Sequence, residues 1–209
     1  MKNNQSGRSM VEMLGVLAII GVLSAGGLAG YSKAMFKHKL NSTMDQLTML
    51  VTNVRTMYGT QENYEDLDVS NAYKLGIISK SSYDTENSKM INPFKGYVTL
   101  APVEAKADVA NSGFSVAYAG LPKEACIALA TSDWGTGAGS GYIGVGIDPA
   151  AGEDDDAPAE EGAEITHAAQ TVTQIGTKTE TYSEGTPMKV SDAIDGCSGE
   201  TNTVTLYFY

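Results

Sequence analysis

Glu12 stands inside an apolar run, and an ionisable group in that setting is the strongest chemical signal in the chain. The stretch Gly7 to Tyr31 reads GRSMVEMLGVLAIIGVLSAGGLAGY, and from Met10 it is apolar over about 20 residues, the length that crosses a bilayer as a helix. A carboxylate there is costly, so it marks a function and requires a partner. Other candidates for chemistry are sparse. His38 and His167 are far apart, and neither joins a Cys/His cluster with metal-ligand spacing. There is no GK[ST] phosphate loop and no G-x-S-x-G nucleophile elbow. Gly139, Gly141 and Gly144 have the G-x-G-x-x-G spacing, but Tyr142 to Ile147 alternates like a strand where a dinucleotide site requires a helix. Turns and edge strands account for these glycines better. Eight acids fall in the run 148–164, without the spacing of an EF-hand, so a self-repelling solvated loop is preferred over a calcium site. The expectation is a non-enzyme with no catalytic residue, cofactor or metal.

The elements that must position Glu12 begin with the apolar run itself. From Ser32 the helical pattern changes character instead of stopping. Leu40, Met44, Leu47, Val51, Val54 and Tyr58 recur at steps of four and three, and Leu50 and Met57 widen the stripe. Lys39, Asn41, Asp45, Asn53 and Arg55 read as the opposite, polar face, and Gly59 as the stop. One helix from Ser9 to Tyr58 would be roughly 75 Å long. Beyond it, Val69 to Ile78 reads as a short helix and Ser79 to Ser88 as a loop. Strands are expected at Tyr97 to Leu100 and Phe114 to Ala119, with a helix over Lys123 to Thr131 opened by Pro122. Thr171 to Ile175 and Lys178 to Tyr182 read as a hairpin around Gly176. Ser191 is placed to cap a short helical turn, and Thr203 to Tyr209 alternates as a last strand with Val204, Leu206 and Phe208 on one side.

The short polar leader MKNNQSG, the apolar helix and its acid together resemble the signal of the type IV pilins. In that family a prepilin peptidase cuts after a glycine, and a glutamate stands at the fifth mature position. The resemblance places the cut between Gly7 and Arg8 and makes Glu12 the fifth residue of the mature chain. It implies that the new N-terminal amine, usually methylated in the family, pairs with Glu12 of a neighbouring subunit during assembly. Two charges that are each costly in lipid then neutralise one another only when subunits dock. Two plainer readings compete. One is a secretory signal peptide with Lys2 and Arg8 as the basic region, Met13 to Leu23 as the apolar region, and Ser24, Ala25 and Ala29 near a cleavage site. The other is a single-span anchor. Lys33, Lys37 and Lys39 follow the span, so the positive-inside rule alone would orient it the other way.

The later elements resemble the head of the type IVb pilins, the class of toxin-coregulated pili and of the thin pili of conjugative plasmids. The matching pieces are INPFKGYVTL, GFSVAYAGLP, the cysteine-bearing EACIALA, and the closing DAIDGCSGETNTVTLYFY. The implied fold is α+β, a pilin fold: a long N-terminal helix with a hydrophobic and an amphipathic half, packed on an antiparallel β-sheet head. Its expected parts are a leader 1–7, a transmembrane or filament-core helix 8–31, an amphipathic continuation 32–59, and a head 60–209 carrying the acidic loop 148–164. In an oxidising periplasm Cys126 and Cys197 would pair, the alternative being two buried thiols. The implied partners are sister subunits, joined through the N-terminal helix as a homopolymer, together with the prepilin peptidase, an inner-membrane assembly platform and the membrane. The subunit would wait in the inner membrane with its head in the periplasm, then join an extracellular pilus serving adhesion or conjugation. A formal net charge of −11 argues against direct nucleic-acid binding. The alternatives are a pseudopilin of a type II secretion system and, from another class, a secreted soluble binding domain.

Overall fold

The apolar run and the amphipathic stripe form one continuous helix, α1 (Arg8–Tyr58), because no proline interrupts them and the glycines fall singly or as one pair. The computed structural model describes residues 8–106, 109–135, 141–148, 173–175 and 178–209. The leader, and the acidic loop apart from its first residue, lie outside the described residues. The chain divides into two compact units, Met1–Asn41 and Ser42–Tyr209.

The described part of the first unit is helix throughout. In the second, α1 buries Thr43, Leu47, Leu50, Val51 and Val54, one stripe at helical spacing. Met57, expected in that stripe, is exposed. Arg55, expected on the polar face, is instead half-buried, with its guanidinium 5.2 Å from the centre of the Phe208 ring. It sits one turn from Val51 and from Tyr58, at the edge of the stripe, so its long stem follows the apolar surface.

After α1 comes α2 (Val69–Lys74), capped by the Asp68 carboxylate, which accepts from the Asn71 N–H at 2.7 Å. It stops short of the expected Ile78 because Gly76 takes φ +74°, a conformation that ends helices. The segment read as loop, Ser79 to Ser88, contains a single 3-10 turn at Lys80–Ser82 and a short strand, β1 (Tyr83–Asp84), which pairs antiparallel with β2 (Lys89–Ile91) just beyond it. Strands of two and three residues are too short to show an alternation. Next follow β3 (Tyr97–Val103), β4 (Gly113–Leu121) and α3 (Lys123–Thr131). Then come β5 (Tyr142–Asp148), β6 (Thr173–Ile175) and β7 (Lys178–Glu184). The chain closes with α4 (Val190–Gly196) and β8 (Asn202–Phe208). Ser191 does not cap α4: the helix already starts at Val190, and the Ser191 hydroxyl lies 3.0 Å from the Asp192 carboxylate.

All pairings are antiparallel, in the order β1-β2-β3-β4-β8-β5-β7-β6. The expected hairpin is the β6–β7 pair, closed at Ile175 and Lys178. β8, the last strand in sequence, is central, and all seven of its residues are buried. The expected one-sided pattern therefore understates its burial. Phe208 faces α1, while Tyr207 on the opposite face joins Val103, Ala105 and Ile143 in a second cluster.

Candidate assembly surface

In the first unit the structure leaves the apolar helix uncovered. From Met10 to Leu28 every large apolar side chain is between 50% and 76% exposed. Among the described residues α1 is the one helix long and apolar enough to cross a bilayer. A Cβ added at Gly15, Gly21, Gly26, Gly27 or Gly30 would meet nothing within 4 Å. The smallness of these residues answers to no neighbour inside the chain, and small residues on an apolar helix let another helix approach closely. Glu12 lies on this surface, exposed. Arg8 is the first residue of α1, and Gly7 lies outside the described residues. An apolar surface of this extent is not stable in water; it belongs in lipid or against similar helices.

In the second unit the amphipathic half of α1 is held to the sheet by a row of rings. Tyr58 stacks on Tyr64 at 5.5 Å, Tyr64 meets Phe114 at 5.0 Å, and Phe114 stacks on Phe208 at 5.4 Å. Tyr142 closes the row edge-on to Phe208 at 5.8 Å. Burial pushes the Tyr64 phenol up, opposed by the nearby Arg55 charge, and burial in turn lowers Arg55, which Tyr64 opposes. Burial, and then Asp66 and Asp68, raise Tyr58. These shifts report a desolvated joint rather than a reactive site. Asn53 adds a hydrogen bond from its amide to the Ile77 carbonyl at 3.2 Å.

Cys126 in α3 and Cys197, directly after α4, form a disulfide with Cα atoms 6.0 Å apart. It fastens the helix after β4 to the helix that leads into β8. The backbone adds to this clamp, with the Met188 N–H donating to the Ala130 carbonyl at 3.1 Å.

Asn92 was not singled out by its sequence context, and it organises the turn before β3. It is buried, its side-chain oxygen accepts from the Phe94 and Gly96 N–H groups at 2.8 and 3.2 Å, and its amide donates to the Ala119 carbonyl at 2.8 Å. A Cβ on Gly96 would run into that same Ala119 carbonyl, and Gly120 beside it has φ +68°. The sequence signal that could have found it is an asparagine before proline inside an N-P-x-x-G turn.

An open groove beside the end of α1 is lined by Met57, Tyr58, Glu62, Glu65, Asp66 and Lys74, among others. Among the described residues no three His, Cys, Asp or Glu side chains are grouped to hold a metal ion. His38 lies exposed on α1, and His167 is outside the described residues.

Comparison with known proteins bears on this arrangement. The family model described as bundlin matches residues 33–155. The major structural subunit of bundle-forming pilus of Escherichia coli O127:H6 is 26% identical over 208 residues, covering 99% of this chain and 95% of that protein. The toxin coregulated pilin of Vibrio cholerae O1 is 26% identical over 134 residues, covering 63% of this chain and 59% of its own length. The solved structure of TcpA, a type IV pilin from Vibrio cholerae El Tor biotype, gives a TM-score of 0.50 at 17% identity, over 82% of this chain and 99% of that one. At that identity the likeness speaks to the fold alone: a long N-terminal helix and an antiparallel sheet.

Proposed function

The chain belongs to the bundlin family, and from that premise we propose that it is the structural subunit of a type IVb-like pilus, polymerised through the N-terminal half of α1. The observation that carries the reading is the uncovered apolar helix, with one acid, continuous in sequence with a disulfide-clamped head. The helix waits in the inner membrane with the head in the periplasm. Assembly exchanges its lipid contacts for contacts with the same surface of sister subunits, and the pilus is extracellular. A prepilin peptidase cuts between Gly7 and Arg8, and the amine so released pairs with Glu12 of a neighbour. Glu12 then sets the register, because the pair is satisfied at one stagger only. The role is structural, not enzymatic.

N-terminal sequencing of the mature protein tests the processing step. A start at Arg8 supports it; a start near Gly26 or Gly30 would mean signal-peptidase release of a secreted domain. Electron microscopy of sheared surface material separates a pilus from a periplasmic pseudopilus. Glu12→Ala tests the register role: the variant should remain stable in membranes and yield few or no filaments. Normal filament numbers from E12A would refute that role.

A further inference from the structure

The basic residues that follow the apolar run have no part in the reading above. Lys33 and Lys37 are exposed and stand one turn apart on the same face of α1. The sequence holds no acid between Glu12 and Asp45, so no carboxylate of their own helix lies within a turn of either lysine. Tyr31 just before them is exposed as well, and tyrosine concentrates where hydrocarbon gives way to headgroups.

The lengths agree with that placement. Met10 to Tyr31 is 22 residues, about 33 Å of helix, against about 30 Å of hydrocarbon. With the hydrocarbon filled to Tyr31, Lys33 follows by about 3 Å and Lys37 by about 9 Å along the axis. Both positions are within reach of the headgroup layer for long, flexible side chains. Basic charge on the exit side also runs against the positive-inside preference, so its transfer carries a cost that an interaction on that side must offset.

We propose that Lys33 and Lys37, with Tyr31 beside them, bind the phosphate groups of anionic phospholipid on the bilayer face where α1 leaves the membrane. The contact fixes the depth at which the unassembled subunit waits. This inference rests on the reading of Met10 to Tyr31 as a membrane span.

The test uses the full chain in phosphatidylcholine vesicles doped with phosphatidylglycerol, with co-purifying lipid counted by native mass spectrometry. Wild type should retain phosphatidylglycerol in preference to phosphatidylcholine. At about fivefold per lysine near an anionic surface, the K33Q/K37Q double variant should lose about 25-fold of that preference, and K33R/K37R should keep it. Persistence of the preference in K33Q/K37Q overturns the assignment. So does its loss when inorganic phosphate is added at the lipid's own concentration, since the site would then take a free anion. Carbonate extraction separates the two levels of failure. A chain washed off the vesicles overturns the spanning premise, whereas one that stays embedded without lipid preference overturns the role of the lysines alone.

Discussion

At the residue scale the head depends on polar groups that its sequence does not advertise. Asn92 satisfies two backbone N–H groups and one carbonyl from a buried position, and a β-strand passes so close that Gly96 has no room for a side chain. Asn92→Ala leaves those groups unpaired, and the expected loss is about 2–3 kcal/mol in denaturant unfolding, with the fold retained. Periodicity could not reveal this residue, because two of its bonds are local turn contacts, hinted at only by the N-P-x-x-G spacing, and the third reaches Ala119, distant in sequence. Tyr118 is the converse case: it is fully buried, and its hydroxyl has no hydrogen-bond partner among the described residues. Tyr118→Phe should therefore change stability at neutral pH by less than about 1 kcal/mol. Burial raises the Tyr118 phenol far above its ordinary value of about 10. Below that value the phenol is neutral folded and unfolded, and it adds no pH dependence. Above it the unfolded chain releases the proton while the native state keeps it, so the unfolded state binds fewer protons and stability falls as pH rises. Unfolding curves at about pH 8 and about pH 11 should show wild type losing more than Y118F; equal losses would remove Tyr118 from the alkaline response.

Elements were legible where a period is long enough to register. The two halves of α1 declare themselves by an apolar run and a 3.6-residue stripe, and α3 by its proline start and apolar spacing. What the pattern missed has physical causes. Arg55 reads as polar, yet its aliphatic stem and flat guanidinium suit the face of Phe208. The β1–β2 pair is too short for alternation, and the Asp84 carboxylate that turns the chain there, accepting from Glu86 and Asn87, resembles any loop aspartate in sequence. β8 alternates in sequence, but the residues of its second face are buried too, where Tyr207 packs in the cluster with Val103, Ala105 and Ile143. The disulfide works at this scale, closing a separation of 71 residues between α3 and the end of α4. In the chain-entropy picture such a link contributes about 4 kcal/mol. C126S/C197S should lose roughly that much unfolding free energy, read as a lower denaturant midpoint at unchanged slope, and reductant should move wild type toward the variant without moving the variant. An unchanged midpoint in both arms would show that the hydrogen bond from Met188 to Ala130 and the surrounding core hold the clamp unaided.

For the whole molecule, the surface proposed for assembly and the core that folds the head fall in different units. No residue before Thr43 is buried among those described, while the head's core runs from Leu47 to Phe208 and is closed by the last strand of the chain. The apolar side chains of the first unit are exposed, and the buried core of the head is built without them. A fragment of residues 42–209 should accordingly be soluble and monomeric by sedimentation, and should form the Cys126–Cys197 bond. Its denaturant midpoint should match that of the head in the full chain, because the same core is buried in both. Filament formation should be absent, since the surface assigned to cohesion is gone. Removing 202–209 should have the opposite consequence. β4 and β5 each lose their pairing with β8, the sheet is divided, and the Phe208 contact of Arg55 disappears. That variant should fail to give a cooperative unfolding transition even with α1 intact. A cooperative transition from it would show that the sheet holds without β8, and an aggregated 42–209 fragment would show that α1 before residue 42 contributes to the fold of the head.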